Sequence, residues 1–231
     1  MPLKTPSLKT AIYEQLARIG HATASPGRLE LLDLLSQGPR TVEALAQQTS
    51  RSVATTSHHL QVLRRARLVD AQKSGLYVTY RLADQQVGAF FLHLRGLAES
   101  RLAEMQQVTR QYLEERGALE AVDNGELVRR VRAGQVTLID VRPRDEYLAG
   151  HIPGALSMPL GDLKKQVTRL PTSRDIVAYC RGPYCVMALD AVTLLRRKGL
   201  RAHRMEHGVA EWRAQGWRVD TGAERHASGR P

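Results

Sequence analysis

The 231-residue sequence predicts two domains. Residues 1–118 read as a mainly α domain, and residues 119–231 as an α/β domain with a parallel sheet. Three observations carry this. Consecutive capped helices lead into a basic, β-rich hairpin in the first half. After Glu114-Glu115-Arg116-Gly117, short β-branched runs begin to alternate with amphipathic helices. Both cysteines of the chain lie in one turn of the second half, YCRGPYC.

In the first half, residues 8–19 form an amphipathic helix. Ser25-Pro26 is a cap followed by proline at the first helical position, and GRLELLDLLSQG runs from it to a terminating Gly38. Thr41 caps VEALAQQT. Ser52 caps VATTSHHLQVLRRA, with Leu60 and Leu63 on one face. LVDAQKSGLYVTYRL reads as a hairpin turning at Lys73-Ser74-Gly75. Asp84 then opens a long helix to about Glu115. Its apolar positions 87, 91, 94, 98, 105, 108 and 112 step by three or four, broken once by Arg101, which suits a partner helix.

In the second half, NGELVRRVRAG and VMALDAVTLLRRKG read as helices, and VTLIDV and DIVAY as strands. The tail from about Thr221 is expected to be disordered.

The composition is that of an ordinary globular chain, 42% hydrophobic and 25% charged. No apolar run is long enough to span a bilayer, and MPLKTPSLKTAIYEQLARIG has no apolar signal core, so no membrane partner is expected. Two cysteines make no disulfide framework, and a cytoplasmic protein is expected. The net charge of +11 is uneven: residues 51–82 carry six Lys/Arg against one Asp. A concentrated basic surface of this kind suits nucleic acid.

Two short helices, a tight turn and a basic hairpin make a winged helix-turn-helix. The second helix of such a motif enters the major groove. Ser52, Thr55, Thr56, Ser57 and His58 are expected at base edges, and Arg64, Arg65 and Lys73 at phosphates, which fix register. His59, beside Leu60, is expected to face the core. TSHHLQVLRRARLVDAQKSGLYVTYRL resembles the recognition helix and wing of the ArsR/SmtB family, over about residues 10–115. The resemblance implies a homodimer, formed through the first and last helices of this half, on a palindromic duplex operator. The metal sites of that family do not carry over. TVEALAQQTS has no cysteine, and the long helix has the single histidine His93.

IDVRPRDEYLAGHIPGALSMPL, YCRGPYCVMA and MEHGVAEWRAQGW together resemble a single rhodanese domain over residues 119–220. The resemblance implies that Cys180, just after a central strand, carries sulfane sulfur as a persulfide. It also implies a loop of Arg181, Gly182, Pro183, Tyr184 and Cys185 around that sulfur. The local sequence is expected to ionise Cys180 through loop N–H groups and the following helix, with Arg181 attracting an anion such as thiosulfate. Many relatives have a second cationic residue in this loop. Here Cys185 takes its place, either as a packing residue or as a partner for a disulfide or sulfur bridge. Asp140 and Arg142 are expected to support the loop, and His151 to pack in a turn. Cys-x4-Cys with His203 and His207 is not expected to bind metal, and no cofactor is expected.

The leading reading is a DNA-binding transcriptional regulator whose sulfur or redox state at Cys180 biases DNA affinity, with donor and acceptor thiols as further partners. The alternative is a thiosulfate or persulfide sulfurtransferase that the winged helix merely dimerises or localises.

Overall fold

A computed structural model describes residues 7–115 and 124–223. The expected domain boundary near residue 118 lies outside the described residues, as does most of the expected tail. Of that tail, Gly222 is seen donating its N–H to the Leu148 carbonyl. The chain forms two compact units that divide between Phe91 and Leu92.

The first unit opens with α1 (Leu8–Thr23), capped by Ser7, and α2 (Pro26–Ser36), whose proline stands at the first turn. A short strand, β1 (Arg40–Thr41), leads into α3 (Val42–Gln48), where the Thr41 hydroxyl accepts from Ala44 N. The Ser52 hydroxyl caps α4 (Val53–Arg65) by accepting from Thr55 N at 3.1 Å. The hairpin follows as β2 (Val69–Ser74) and β3 (Tyr77–Leu82), turning through Gly75 at φ 59°. All three strands make an antiparallel sheet in the order β1-β3-β2. Leu31, Leu32, Leu45, Leu60, Leu63 and Tyr80 build the core beneath it.

The expected long helix is two: α5 (Gln85–Arg101) and α6 (Ala103–Glu115), interrupted at Leu102. The break falls next to Arg101, where the apolar seam is itself interrupted. Asp84 caps α5, its carboxylate accepting from Gln86 N at 2.8 Å and Val87 N at 3.1 Å. The division between the two units falls inside α5.

The second unit carries α7 (Asn124–Arg132), β4 (Thr137–Asp140), α8 (Arg144–Ala149), β5 (Leu156–Ser157) and α9 (Leu163–Gln166). Beyond them lie β6 (Ile176–Tyr179), α10 (Met187–Arg197), β7 (Ala202–Arg204) and α11 (Val209–Ala214). The sheet is parallel throughout, in the order β5-β4-β6-β7. Period-two alternation sorts β6 between two cores. Ile176 and Ala178 face Ala188, Ala191, Val192 and Leu195 of α10, whereas Val177 and Tyr179 face Leu127, Tyr147 and Trp212.

Candidate functional site

The same alternation places the thiol. Cys180 follows Tyr179 and so continues the face of Ile176 and Ala178, towards the N-terminal end of α10. It is 2% exposed, while Cys185, at the far end of the loop, is half-buried. The Cys180 Sγ sits 3.2 Å from the Cys185 carbonyl and 3.9 Å from that of Gly182. Both thiols are free, and the Cys180 thiol donates to the backbone carbonyl of Cys185.

The closeness of the two residues sets their chemistry. Donating to Cys185 and then burial push the Cys180 thiol well above its ordinary range, despite backbone N–H groups of Ala188 and Gly182. The neighbouring Cys180 thiol pulls Cys185 down to about 6, against burial and with help from the N–H groups of Arg181 and Met187. Where the sequence led to an ionised Cys180, the N–H groups at the start of α10 serve both sulfurs, and the balance of these groups favours the proton on Cys180 and the charge on Cys185. Arg181 needs a correction as well. It forks onto the buried Glu146, with Nε 3.1 Å from both carboxylate oxygens and Nη2 2.6 Å from one, so its charge is matched within the protein.

Glycines shape the loop. Gly182 has φ 142°, and a Cβ there would lie 3.0 Å from Glu211 Oε1. Gly208 lies against the Cys180–Arg181 peptide, where a Cβ would come within 2.7 Å of Cys180 O and Arg181 C. Glu211 binds Gly208 N at 2.8 Å and takes a 2.6 Å ion pair from Arg95 of α5. Tyr184, halfway round the loop, donates its hydroxyl to Glu99 of the same helix. Glu146, Glu211, Arg95 and Glu99 were not legible as site residues. Only Glu211 carried a signal, in the Gly-x-x-Glu spacing of a helix start.

Asp140 and Arg142 are fully buried and paired at 2.5 Å. Burial works against the Arg142 charge, but the Asp140 hydrogen bonds and charge outweigh it and hold the guanidinium firmly protonated. Tyr179 donates to Asp140 at 2.7 Å and accepts from Ile152 N, while Arg142 reaches Gly150 O at 2.7 Å. The pair thus braces the 140–152 segment from beneath. His151 stacks on Tyr147 at 3.8 Å, with Nδ1 2.9 Å from the Tyr147 carbonyl. Among the described residues no cluster of His, Cys, Asp or Glu is arranged to hold a metal ion.

On α4, Ser52, Thr55 and His58 are exposed, and Ser57 is half-buried. Arg64 and Arg65 stand exposed in the last turn, and Lys73 near the hairpin tip. Thr56 is corrected: it is fully buried, so it faces the core rather than a groove. Its hydroxyl finds no partner among the described residues. His59 lies against Gly27 and Arg51, away from the exposed residues of the helix. Burial, then the charges of Arg28 and Arg51, lower its pKa.

Sequence comparison agrees with this division. Residues 25–71 match the bacterial regulatory protein arsR family, and residues 123–215 match the rhodanese-like domain. The chain is 45% identical to the HTH-type transcriptional regulator Rv0324 of Mycobacterium tuberculosis, over 93% of this chain and 94% of that protein. It is 30% identical to a sulfurtransferase of Allochromatium vinosum, over 35% of this chain and 75% of that protein. A solved fragment is the homodimeric winged helix-turn-helix DNA-binding domain of Mb0332 from Mycobacterium bovis, a possible ArsR-family transcriptional regulator. It is 38% identical and covers 43% of this chain and 93% of its own, with a TM-score of 0.40. With an arsR-type winged helix-turn-helix, a rhodanese-like domain and an HTH-type regulator matched almost end to end, the chain belongs to the ArsR-family transcriptional regulators that carry a C-terminal rhodanese domain.

Proposed function

We propose that this regulator binds duplex DNA as a homodimer and that sulfane sulfur, accepted in the Cys180–Cys185 loop and held as a persulfide on Cys180, alters its affinity for DNA. The observation that carries the reading is the grip of α5 on the loop. Val87, near the start of that helix, belongs to the core of the first unit, and Arg95 and Glu99 hold Glu211 and Tyr184. Both contacts lie within the second unit, and the proposed coupling runs along α5 itself, which continues into the first unit through Val87. Coupling of this kind needs the modified and unmodified forms to differ in affinity for DNA.

The basic turn of α4 and the exposed Lys73 support DNA as the partner. A row on α1, Leu8, Ile12 and Leu16, is exposed at successive turns and supports a second copy of this chain. Two free thiols and a DNA partner are consistent with a reducing cytoplasm. No helix among the described residues is long and apolar enough to cross a membrane. A sulfurtransferase turning over thiosulfate finds less support, because Glu146 already matches the Arg181 charge.

The test is intact-mass analysis of the reduced protein after treatment with polysulfide. In the wild type a gain of sulfur that peptide mapping assigns to Cys180 is expected. An unchanged mass in the wild type would rule the reading out.

A further inference from the structure

Cys180 is 2% exposed and cannot easily meet a donor, whereas Cys185 lines an open cavity of about 360 Å³. Val108 and Tyr112 of α6, Pro183 of the loop and Leu189 of α10 supply apolar walls, with Arg204 at the side. The volume falls at the small end of organic-ligand sites, roughly 300–1,000 Å³. Arg204 is held by the Pro183 carbonyl at 3.1 Å and by Glu206 at 2.8 Å, and Arg181 by Glu146. Both cations are thus neutralised by the protein. The site offers an apolar seat beside a reachable sulfur, and poor provision for a small dianion.

We infer that Cys185 is the port at which a small organic persulfide delivers its sulfur, that the cavity seats the donor's organic group, and that Cys180 receives the sulfur from Cys185. This rests on the proposed function, in which Cys180 holds the persulfide. In the first step the Cys185 thiolate attacks the outer sulfur of R–S–SH. A sulfur–sulfur bond forms, the donor's own sulfur–sulfur bond breaks, and RS⁻ leaves. In the second step Cys180 attacks the outer sulfur of Cys185–S–SH. Cys180–S–SH forms, the Cys185 sulfur–sulfur bond breaks, and the Cys180 proton passes to the departing Cys185 sulfur. No external oxidant or reductant enters either step. The direction of transfer suits the pair, since a more basic thiol attacks and a more acidic one departs.

The experiment is rapid acid quench of reduced, full-length protein mixed with phenethyl persulfide, followed by intact mass and peptide mapping. Sulfur is expected first on Cys185 and then on Cys180. Cys180→Ala keeps it on Cys185, and Cys185→Ala loads Cys180 roughly tenfold or more slowly, because access and thiolate character are both lost. The wild-type rate should rise with a midpoint near pH 6. Val108→Trp, which fills the cavity from an exposed position, should slow phenethyl persulfide while sparing inorganic hydrogen disulfide. Sulfur appearing first on Cys180, or wild-type loading in Cys185→Ala, overturns the port and leaves the proposed storage on Cys180 intact. Equal loading by thiosulfate, or indifference to Val108→Trp, overturns the assignment of the donor and its seat. Absence of sulfur on either cysteine of the wild type, from any donor, overturns the proposed function and this inference together.

Discussion

Replacing Gly208 by alanine should loosen the cysteine loop from outside it. The added Cβ would sit 2.7 Å from Cys180 O, 2.7 Å from Arg181 C and 2.8 Å from Arg181 O, all backbone atoms that no rotamer change can move. Restoring ordinary contact needs a separation of roughly 3.5 Å, so the two segments must part by several tenths of an ångström or more. Overpacking of this kind costs about 1–3 kcal/mol. Both tryptophans, Trp212 and Trp217, belong to the second unit and pack edge to face at 4.6 Å, so their fluorescence reports its unfolding alone. With a urea slope of about 2 kcal/mol per molar, the midpoint should fall by about 0.5–1.5 M. Cys180 should also react faster with a bulky disulfide reagent, because its cover moves with the 180–181 peptide. Gly161→Ala serves as control, since nothing lies within 4 Å of its would-be Cβ. A Gly208→Ala midpoint and thiol reactivity equal to those of Gly161→Ala would refute the close approach and the bracing argued from it.

Asp140→Ala leaves the Arg142 charge buried without its main partner, and should destabilise the second unit by about 3–5 kcal/mol in the same fluorescence assay. A loss under 1 kcal/mol would contradict the structural role of the pair. Thr56→Val removes a buried hydroxyl that finds no partner among the described residues, and should raise the thermal midpoint of the first unit by an amount equivalent to about 1 kcal/mol. Unchanged DNA affinity is expected with it, and a sharp loss of affinity would return Thr56 to the groove. Arg64→Ala and Arg65→Ala should each lower the slope of log affinity against log salt by about one, uniformly across sequences. Slopes equal to the wild type would remove these residues from the phosphate contacts.

Local chemistry explains what the sequence made legible. Caps announced α2, α3 and α4, because Pro26, Thr41 and Ser52 act within one turn of themselves. The β-branched runs of β4 and β6 were long enough to read, whereas β5 and β7, of two and three residues, hold too few side chains to show a period. The break at Leu102 carries no glycine or proline, and only the lapse of the apolar seam at Arg101 hints at it. The cysteine loop was legible as a site, but its electrostatics were not. Which sulfur favours the proton depends on how the folded loop sets the two cysteines against each other and against backbone groups, and Arg181 is claimed by Glu146, 35 positions earlier in the chain. Burial of Thr56 was likewise hidden, since hydroxyl residues occupy both faces of the first turns of α4.

The measurement that tests the central claim most directly is DNA affinity in two states of one protein. A duplex selected by the reduced protein from a random library would be titrated, by fluorescence anisotropy at fixed salt, with reduced and polysulfide-treated wild type and Cys180→Ser. The account predicts a change of about fivefold or more on treatment of the wild type, and none in the variant. Identical affinities of the reduced and sulfur-loaded wild type would contradict it.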